Sequence, residues 1–219
     1  MSEKSDRYVP ALGHDVLTPL YDAVVKWTTP ESTFKRRLVR QANIERGQRI
    51  LDLGCGTATL TLLLKQQHPD ADVKGADGDP KILRIARAKA ERAGAAVAFD
   101  HSMAYALPYP DGSFDRVLSS LMFHHLTRED KSRTFREVRR VLRAGGELHF
   151  ADFGKPHNAL MYAASLPWRL FDGRATTRDN VKGELPPLLR DAGFAEVCET
   201  ARYMTMFGTL SLFKTRKPA

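Results

Sequence analysis

Short apolar runs alternate with longer amphipathic stretches along most of this 219-residue chain. The apolar runs are rich in Val, Ile, Leu and Phe and are bounded by glycine, proline and acidic residues, which is typical of buried strands. The stretches between them space their apolar residues three or four apart, which is typical of helices with one packed face. Strands are predicted over residues 50–53, 73–76, 97–99, 115–121 and 148–152, around Val197, and over residues 204–213.

The helical stretches complete the pattern. Helices are predicted over residues 15–27, 32–42, 58–67, 80–93 and 127–142, with one more that closes at Gly193. Gly145-Gly146 is expected to end the fifth of these helices. The alternation indicates the α/β fold class, with a doubly wound, mostly parallel seven-stranded sheet. A single domain over residues 1–219 is expected, with an N-terminal helical cap (1–45), a central core (46–153), and a lid segment with closing strands (154–219).

A glycine-rich turn, Asp52-Leu53-Gly54-Cys55-Gly56-Thr57, follows the first predicted strand. Gly54 and Gly56 allow a sharp turn and the close approach of a ligand, and Thr57 or Thr59 is placed to cap the next helix. The lysine of a phosphate-binding loop and the third glycine of a dinucleotide-binding loop are absent at the required spacing. Asp52 repels a pyrophosphate and attracts an ammonium, so the turn favours a ligand with a positive group.

A second acidic residue ends the next strand, in Ala76-Asp77-Gly78-Asp79-Pro80. A carboxylate at the position of Asp77 can accept hydrogen bonds from both hydroxyls of a ribose. Asp79 directly precedes Pro80, which favours a role as the cap of the following helix. Asp77 is therefore assigned to the ribose, with Gly78 beside it.

These motifs resemble those of the class I S-adenosylmethionine-dependent methyltransferases, whose first motif reads Asp/Glu-x-Gly-x-Gly-x-Gly; Ala58 stands at the third glycine. The stretch from Leu107 to Asp115 resembles the Leu-Pro-Phe-x-Asp-x-x-Phe-Asp motif of the type 11 group, and the stretch from Phe135 to Gly146 resembles its Arg-Val-Leu-Lys-Pro-Gly-Gly signature. The resemblance extends to about Val197. It implies a Rossmann-like methyltransferase fold, S-adenosylmethionine as the cofactor, S-adenosylhomocysteine as the product, and residues 46–153 as the cofactor-binding core.

The resemblance also places the adenine of the cofactor beside Ser102, Met103 and Ala104. In the type 11 group an Asp commonly stands where this chain has Met103, and it bonds the adenine amino group. A thioether accepts such a bond poorly but packs well on a purine face. The amino group is then expected to meet Ser102, a backbone carbonyl or water.

The fourth predicted strand ends in Ser119-Ser120 and runs into His124-His125, at the edge of the sheet where ligands bind in open α/β folds. Ser119 and Ser120 are expected to border the cofactor. One histidine is a candidate general base, because a neutral imidazole can take a proton near pH 7; helix capping is the alternative role.

Two further residues complete the candidate catalytic set. Asp152 ends the fifth predicted strand and is expected either to face the methyl acceptor or to cap a loop. Tyr21 precedes Asp22 in a Tyr-Asp pair that resembles one in the N-terminal segment of type 11 enzymes, which implies a positioning role. No acidic or cysteine cluster accompanies the histidines, so no metal site is predicted.

Composition and charge indicate which partners the chain binds more than which reaction it catalyses. The formal net charge is +8, but the arginines are spread along helices and no basic run with interleaved aromatic residues occurs, so nucleic acid is not an expected partner. The Asn/Asp-Pro-Pro-Tyr/Phe motif of nucleic-acid aminomethyltransferases is absent. No apolar run approaches the length of a membrane span, and the two cysteines provide no disulfide framework, so a cytoplasmic location is expected.

The sequence therefore predicts methyl transfer from S-adenosylmethionine to a small-molecule acceptor by direct displacement. Two alternatives stay open: a methyltransferase that acts on a protein or RNA, and a cofactor-binding protein without catalytic activity. The atom that is methylated and the oligomeric state are not encoded in any motif of the chain.

Overall fold

The computed structural model describes residues 31–171 and 173–219. Its strands are β1 (Arg49–Leu53), β2 (Asp72–Asp77), β3 (Ala98–His101), β4 (Phe114–Ser120), β5 (Leu142–Phe153), β6 (Ala195–Thr205) and β7 (Gly208–Arg216). Its α-helices are α1 (Glu31–Gln41), α2 (Thr59–Gln67), α3 (Pro80–Arg92), α4 (Arg128–Val141), α5 (Ala159–Ala164), α6 (Leu166–Phe171), α7 (Arg174–Lys182) and α8 (Leu185–Asp191). A 3₁₀ turn, Phe123–His125, joins β4 to α4. The helix predicted over residues 15–27 lies outside the described residues.

The strands form one sheet in the order β3-β2-β1-β4-β5-β7-β6. Neighbours from β3 to β5 are parallel, whereas β7 is antiparallel to both β5 and β6. The seven strands and the parallel central part agree with the sequence prediction, and β7 makes the sheet mixed. Because the order reverses at β1, the ends of β1, β2, β4 and β5 border a single crevice at the carboxyl edge.

Apolar side chains cover both faces of this sheet. Phe34 and Leu38 of α1 and Leu60 of α2 pack with Ile50 on one face. On the other face, α4 and α8 bury their apolar residues against the neighbouring positions of β1 and β5. This alternation of facing directions along β1 follows from the two-residue period of a strand. The helices therefore pack on the two faces of the sheet, and the carboxyl ends of its parallel strands lie along one edge.

Two predicted boundaries in the second half of the chain are wrong. Helix α4 ends at Val141 because Leu142 already has extended backbone angles and pairs with Phe114. Gly145-Gly146 therefore lies inside β5, where the register against β4 shifts, and does not end the helix. The strand predicted over residues 204–213 instead contains a turn, because β6 and β7 form an antiparallel hairpin around Met206-Phe207.

Candidate functional site

The glycine-rich turn lies at the carboxyl end of β1 and is held by β2. The N–H groups of Gly54 and Cys55 donate to the carbonyl oxygen of Ala76 at 2.8 and 3.1 Å. Gly54 and Gly56 have φ angles of +67° and +53°, which glycine adopts without strain. A Cβ atom added to Gly56 would meet no atom within 4 Å. The turn therefore presents bare main chain to open space.

Helix α2 begins directly behind this turn. Its N-cap is Ala58, with a left-handed φ of +66° and no capping side chain. The prediction that Thr57 or Thr59 caps the helix is therefore wrong; the Thr59 hydroxyl instead accepts a hydrogen bond from Lys89 Nζ at 2.9 Å. A helix start without a side-chain cap leaves first-turn N–H groups for other polar atoms.

Asp77 ends β2 and supports the glycine turn. Its Oδ2 accepts from the N–H of Gly56 and its Oδ1 from the N–H of Asp79, each at 2.9 Å. Burial raises the pKa of Asp77, and these two hydrogen bonds oppose the rise. Each carboxylate oxygen retains a second lone pair that can accept a hydroxyl. Gly78 follows, with its carbonyl oxygen 3.0 Å from His101 Nε2.

Asp79 has the capping role that the sequence predicts. Its side chain accepts hydrogen bonds from the N–H groups of Lys81 and Ile82 at the start of α3. Asp79 therefore caps α3, whereas the carboxylate of Asp77 borders the glycine turn.

Asp52 lies beneath the turn, only 1% exposed, with its carboxyl group facing α2. Oδ2 accepts from the Thr61 hydroxyl at 2.6 Å, whereas the buried Oδ1 has no hydrogen-bond partner among the described residues. Burial raises the pKa of Asp52 to about 6, and Thr61 and Lys35 oppose the rise. A half-satisfied buried carboxylate of this kind favours a nearby cation.

Cys55 is buried inside the turn. Burial raises the pKa of its thiol well above the ordinary value, with a further contribution from Asp52 and Asp77. The thiol therefore stays protonated near neutral pH and serves as a small packing group.

The predicted adenine residues lie beside the end of β2. The N–H of Ser102 donates to the carbonyl oxygen of Asp77 at 3.1 Å, and Met103 and Ala104 follow in the same turn. The Ser102 hydroxyl is buried and has no partner in the described part of the chain. Met103 is partly exposed. Ser102 therefore offers a hydroxyl at the place where the sequence lacks the family's acid.

The serines at the end of β4 have different surroundings. Ser119 is fully buried and its hydroxyl donates to the carbonyl oxygen of Leu53 at 2.8 Å, which ties β4 to the start of the glycine turn. The Ser120 hydroxyl is also shielded from solvent but has no partner within residues 31–171 and 173–219. Ser119 thus supports the turn, and Ser120 keeps its hydrogen-bonding capacity.

The chain leaves β4 through a strained residue. Leu121 has a φ of +58°, a conformation that is rare for a branched side chain. It turns Met122 over Gly54, so that a Cβ on Gly54 would approach Met122 Cγ to 2.4 Å. Such strain persists where the surrounding structure holds it, often at a functional site.

Asp152 and His124 meet at the ends of β5 and β4. His124 Nδ1 lies 2.7 Å from Asp152 Oδ1, and Asp152 Oδ2 accepts from the N–H groups of Phe123 and His124 at 2.7 and 3.3 Å. Both side chains are almost fully buried. Because a carboxylate only accepts, Nδ1 donates in this pair, so the tautomer that can take up a proton has its lone pair on Nε2.

His125 lies next to this pair. Its ring centroid is 4.0 Å from that of His124. Burial lowers the pKa of His125 well below its ordinary value, and His124 and Lys131 add to the shift. The second histidine is therefore neutral at physiological pH.

Helix α7 supplies a residue that the sequence analysis missed. Asn180 is fully buried, and its Nδ2 donates to Asp152 Oδ1 at 3.3 Å and to the Phe153 carbonyl oxygen at 2.8 Å. The sequence shows only an Asp-Asn pair at the start of the helix predicted to close at Gly193, and no local signal connects that pair to β5. The contact depends on how α7 folds back over the sheet edge.

A buried lysine holds α7 in place. Lys131 of α4 is 0% exposed; its Nζ donates to the Thr176 carbonyl oxygen and lies 3.5 Å from Asp179 Oδ2. Arg128 Nη1 reaches Asp179 Oδ1 at 2.6 Å. Burial lowers the pKa of Lys131, while Asp179 and Asp152 oppose that shift. Two cations on α4 thus fix the helix that carries Asn180.

Two features are absent from the described residues. No group of three or more His, Cys, Asp or Glu side chains is arranged to hold a metal ion. No described helix is long and apolar enough to cross a membrane. Tyr21, the remaining predicted site residue, lies outside the described residues.

Comparisons with known proteins agree with the motifs. Residues 50–146 match a family model described as a methyltransferase domain. The demethylmenaquinone methyltransferase of Thermus thermophilus is 39% identical over 142 residues, which are 64% of this chain and 64% of that protein. An uncharacterized methyltransferase of Synechocystis is 30% identical over 189 residues, which are 85% of this chain and 84% of that protein.

A solved structure supports the fold. Phosphoethanolamine N-methyltransferase 2 of Haemonchus contortus, in complex with S-adenosyl-L-methionine, has a TM-score of 0.75 at 14% identity and covers 95% of this chain and 58% of that one. The matches to several curated quinone methyltransferases span between 49% and 64% of the length of those proteins.

Proposed function

The chain belongs to the class I S-adenosylmethionine-dependent methyltransferases, and from this premise we propose that it methylates a small organic acceptor. The proposal rests on the hydrogen bond from the Gly56 N–H to Asp77 Oδ2, 2.9 Å long, which places a carboxylate beside the open glycine turn at the end of β1. A first test, of cofactor binding, is chromatography of the protein as purified, which should release S-adenosylhomocysteine. A protein that carries none and does not bind added S-adenosylmethionine would contradict the proposal.

The residues around the crevice fit the cofactor. Asp52 Oδ1, Ser102 Oγ and Ser120 Oγ are buried oxygens without partners among the described residues. We assign Asp77 to the ribose hydroxyls, the bare main chain at Gly56 to close approach of the ligand, and Asp52 to the ammonium group. Ser102 and the flanking Met103 and Ala104 would border the adenine. Buried unpaired oxygens are costly unless a ligand supplies the missing partners.

The acceptor would be activated at the ends of β4 and β5. The bound cofactor supplies an electrophilic methyl group. His124 Nε2 would take a proton from the acceptor, and Asp152 would orient the ring and stabilise the imidazolium that forms. His125 is the alternative base, and Tyr21 would position the acceptor, as its sequence resemblance implies. Alignment and the exclusion of water supply most of the remaining rate increase.

Similar proteins favour a small apolar acceptor. Several of them are named as quinone methyltransferases, and the sequence lacks the Asn/Asp-Pro-Pro-Tyr/Phe motif of enzymes that methylate amino groups of nucleic acids. We therefore propose that the methyl acceptor contains a quinone-like ring and is not a protein or RNA. We also propose that the enzyme is cytoplasmic. The rival without catalysis predicts cofactor binding with no transfer to any acceptor.

The buried Asp52 predicts a pH dependence of cofactor binding. The pKa of Asp52 is raised to about 6, so in the free protein the group is mostly protonated at pH 5 and mostly ionised at pH 7. Because only the ionised form attracts the ammonium, affinity should rise about tenfold from pH 5 to pH 7. Calorimetry should show this rise in the natural protein and a flat profile in Asp52→Asn; parallel profiles would remove the assignment.

The free energy of unfolding should depend on pH in the opposite direction, because of the same Asp52 carboxyl group. The folded-state pKa of Asp52 lies above the ordinary value of 3.8, so its stabilising contribution is complete below about 3.8 and is lost as the pH rises through about 6. Added cofactor should reduce this loss, because the ammonium favours the ionised carboxylate.

Catalysis is predicted to need no metal. The reaction is a displacement at a sulfonium, and the proposed base and orienting groups are side chains. Turnover should persist after exhaustive treatment with a chelator, measured once an acceptor is known. Loss of turnover that zinc or magnesium restores would contradict this prediction.

A further inference from the structure

The six most exposed large apolar side chains of the described residues lie in one part of the fold. They belong to α5, α6 and the β6–β7 hairpin: Leu160, Tyr162, Leu166, Leu170, Met204 and Met206. Their exposed fractions range from 45% to 79%. We call these six side chains the apolar patch. Single exposed apolar residues are ordinary on a protein surface, whereas a cluster marks an interaction site.

The elements that carry the apolar patch are packed on one another. A Cβ on Gly208 in the hairpin would lie 3.2 Å from the Met161 carbonyl oxygen and from Ser165 Cβ of the α5 region. His157 Nδ1 also lies 2.9 Å from the Thr209 hydroxyl. Leu166 and Leu170 are four residues apart on α6 and so share one face. The elements that bear the patch are therefore neighbours in the fold.

Basic residues predominate in the segment that carries four of the six side chains of the apolar patch. Residues 154–182 contain five Lys or Arg and two Asp, and one of these acids, Asp179, is buried and paired with Arg128. Arg174 and Arg178 are exposed on α7. Arg169 lies over the Tyr162 ring at 5.4 Å, and its shielded Nε and Nη1 atoms have no hydrogen-bond partner among the described residues.

We propose that the apolar patch docks on the surface of an anionic lipid membrane. Exposed leucine, methionine and tyrosine side chains enter the boundary between headgroups and acyl chains, while the surrounding arginines meet lipid phosphates. A second copy of the chain is disfavoured as the occupant, because a symmetric interface would bring the same cations together. The formal charge of +8 strengthens attraction to an anionic surface.

The position of the patch connects docking to the proposed function, on which this part rests. The segment that bears four of its six side chains leaves the carboxyl end of β5 at Phe153 and returns through α7, where Asn180 contacts Asp152. A lipophilic ring that resides in the bilayer would therefore meet the protein beside the proposed acceptor site. The inference narrows the acceptor to a membrane-dissolved, quinone-like compound.

The test is co-sedimentation with vesicles, without acceptor. We expect at least about tenfold stronger binding to phosphatidylcholine vesicles containing about 30 mol% phosphatidylglycerol than to phosphatidylcholine alone, with a decline at high salt. Leu166→Ser/Leu170→Ser should weaken binding at least about fivefold. Arg174→Gln/Arg178→Gln should weaken only the anionic component, whereas Arg92→Gln on α3 is the control for loss of a surface charge and should have little effect.

The outcomes separate docking from catalysis. Leu170→Trp should strengthen vesicle binding and leave cofactor affinity unchanged, because the side chain lies outside the crevice. Equal binding of all variants, or a loss of self-association in Leu166→Ser/Leu170→Ser with no change in vesicle binding, would overturn the docking proposal. Vesicle binding by a protein that shows no affinity for S-adenosylmethionine would support docking and contradict the proposed function.

Discussion

His124→Ala should lower kcat by about 10² to 10⁴, the range expected for loss of a positioned general base. The reason is the geometry of the pair: Asp152 Oδ1 lies 2.7 Å from His124 Nδ1 and so places the ring lone pair on Nε2. Cofactor affinity should change little, because Asp77 and the glycine turn lie at the ends of other strands. Steady-state kinetics with a known acceptor and calorimetry with S-adenosylmethionine would measure the two effects.

Three further variants test whether the loss of kcat comes from removal of the general base. His68→Ala removes an imidazole near the opposite edge of the sheet, before β2, and should leave kcat near its natural value. Asp152→Asn should lower kcat and also destabilise the fold by about 1–3 kcal/mol, because a buried acceptor of several hydrogen bonds is altered. If His124→Ala and His125→Ala both retain near-normal turnover from pH 6 to 9, no histidine acts as the base and alignment alone carries the reaction.

Asp77→Asn should weaken S-adenosylmethionine binding by roughly ten- to a thousandfold, because the charge-assisted hydrogen bonds to the ribose are lost. The amide still accepts through one oxygen, but its NH₂ group faces a main-chain donor, either Gly56 or Asp79. The glycine turn should therefore loosen in addition to losing the charge. Calorimetry measures affinity, and thermal unfolding reports how much of the loss comes from the turn.

Asp72→Asn is the matched control for this variant. Asp72 begins the same strand that Asp77 ends, is exposed, and makes no described contact with the crevice. Its substitution removes one negative charge at the far edge of the sheet and should leave affinity unchanged. Equal affinities of Asp77→Asn and the natural protein would remove the ribose assignment.

The sequence predicted the parts of the site that depend on strand ends. Asp77 and the glycine turn follow neighbouring parallel strands, and so do His124 and Asp152, so the strand order alone brings each pair together. The contacts between Gly56 and Asp77 and between His124 and Asp152 agree with this expectation. The assignment of Asp79 as a helix cap is confirmed for the same reason, since capping is a local property.

Local sequence patterns did not predict features that depend on contacts between distant residues or on uncommon backbone conformations. Ala58 takes the left-handed N-cap position, although its type gives no signal for one. The contact of Asn180 with Asp152 spans 28 residues in sequence and depends on the buried Lys131, a residue type that is almost never fully buried unless paired. The β6–β7 hairpin was missed because the two central turn residues, Met206-Phe207, are apolar and continue the pattern of a strand; Gly208 directly after them was the one turn signal.

The most direct test of the proposed function is to follow the methyl group. The protein is incubated with methyl-labelled S-adenosylmethionine and a cell extract that includes membrane lipids, and the extract is then divided into protein, RNA, aqueous and organic-soluble fractions. The proposed function predicts that label appears in one small compound of the organic-soluble fraction, in amounts that depend on His124. Label confined to protein or RNA, or cofactor binding with no transfer to any fraction, would contradict it.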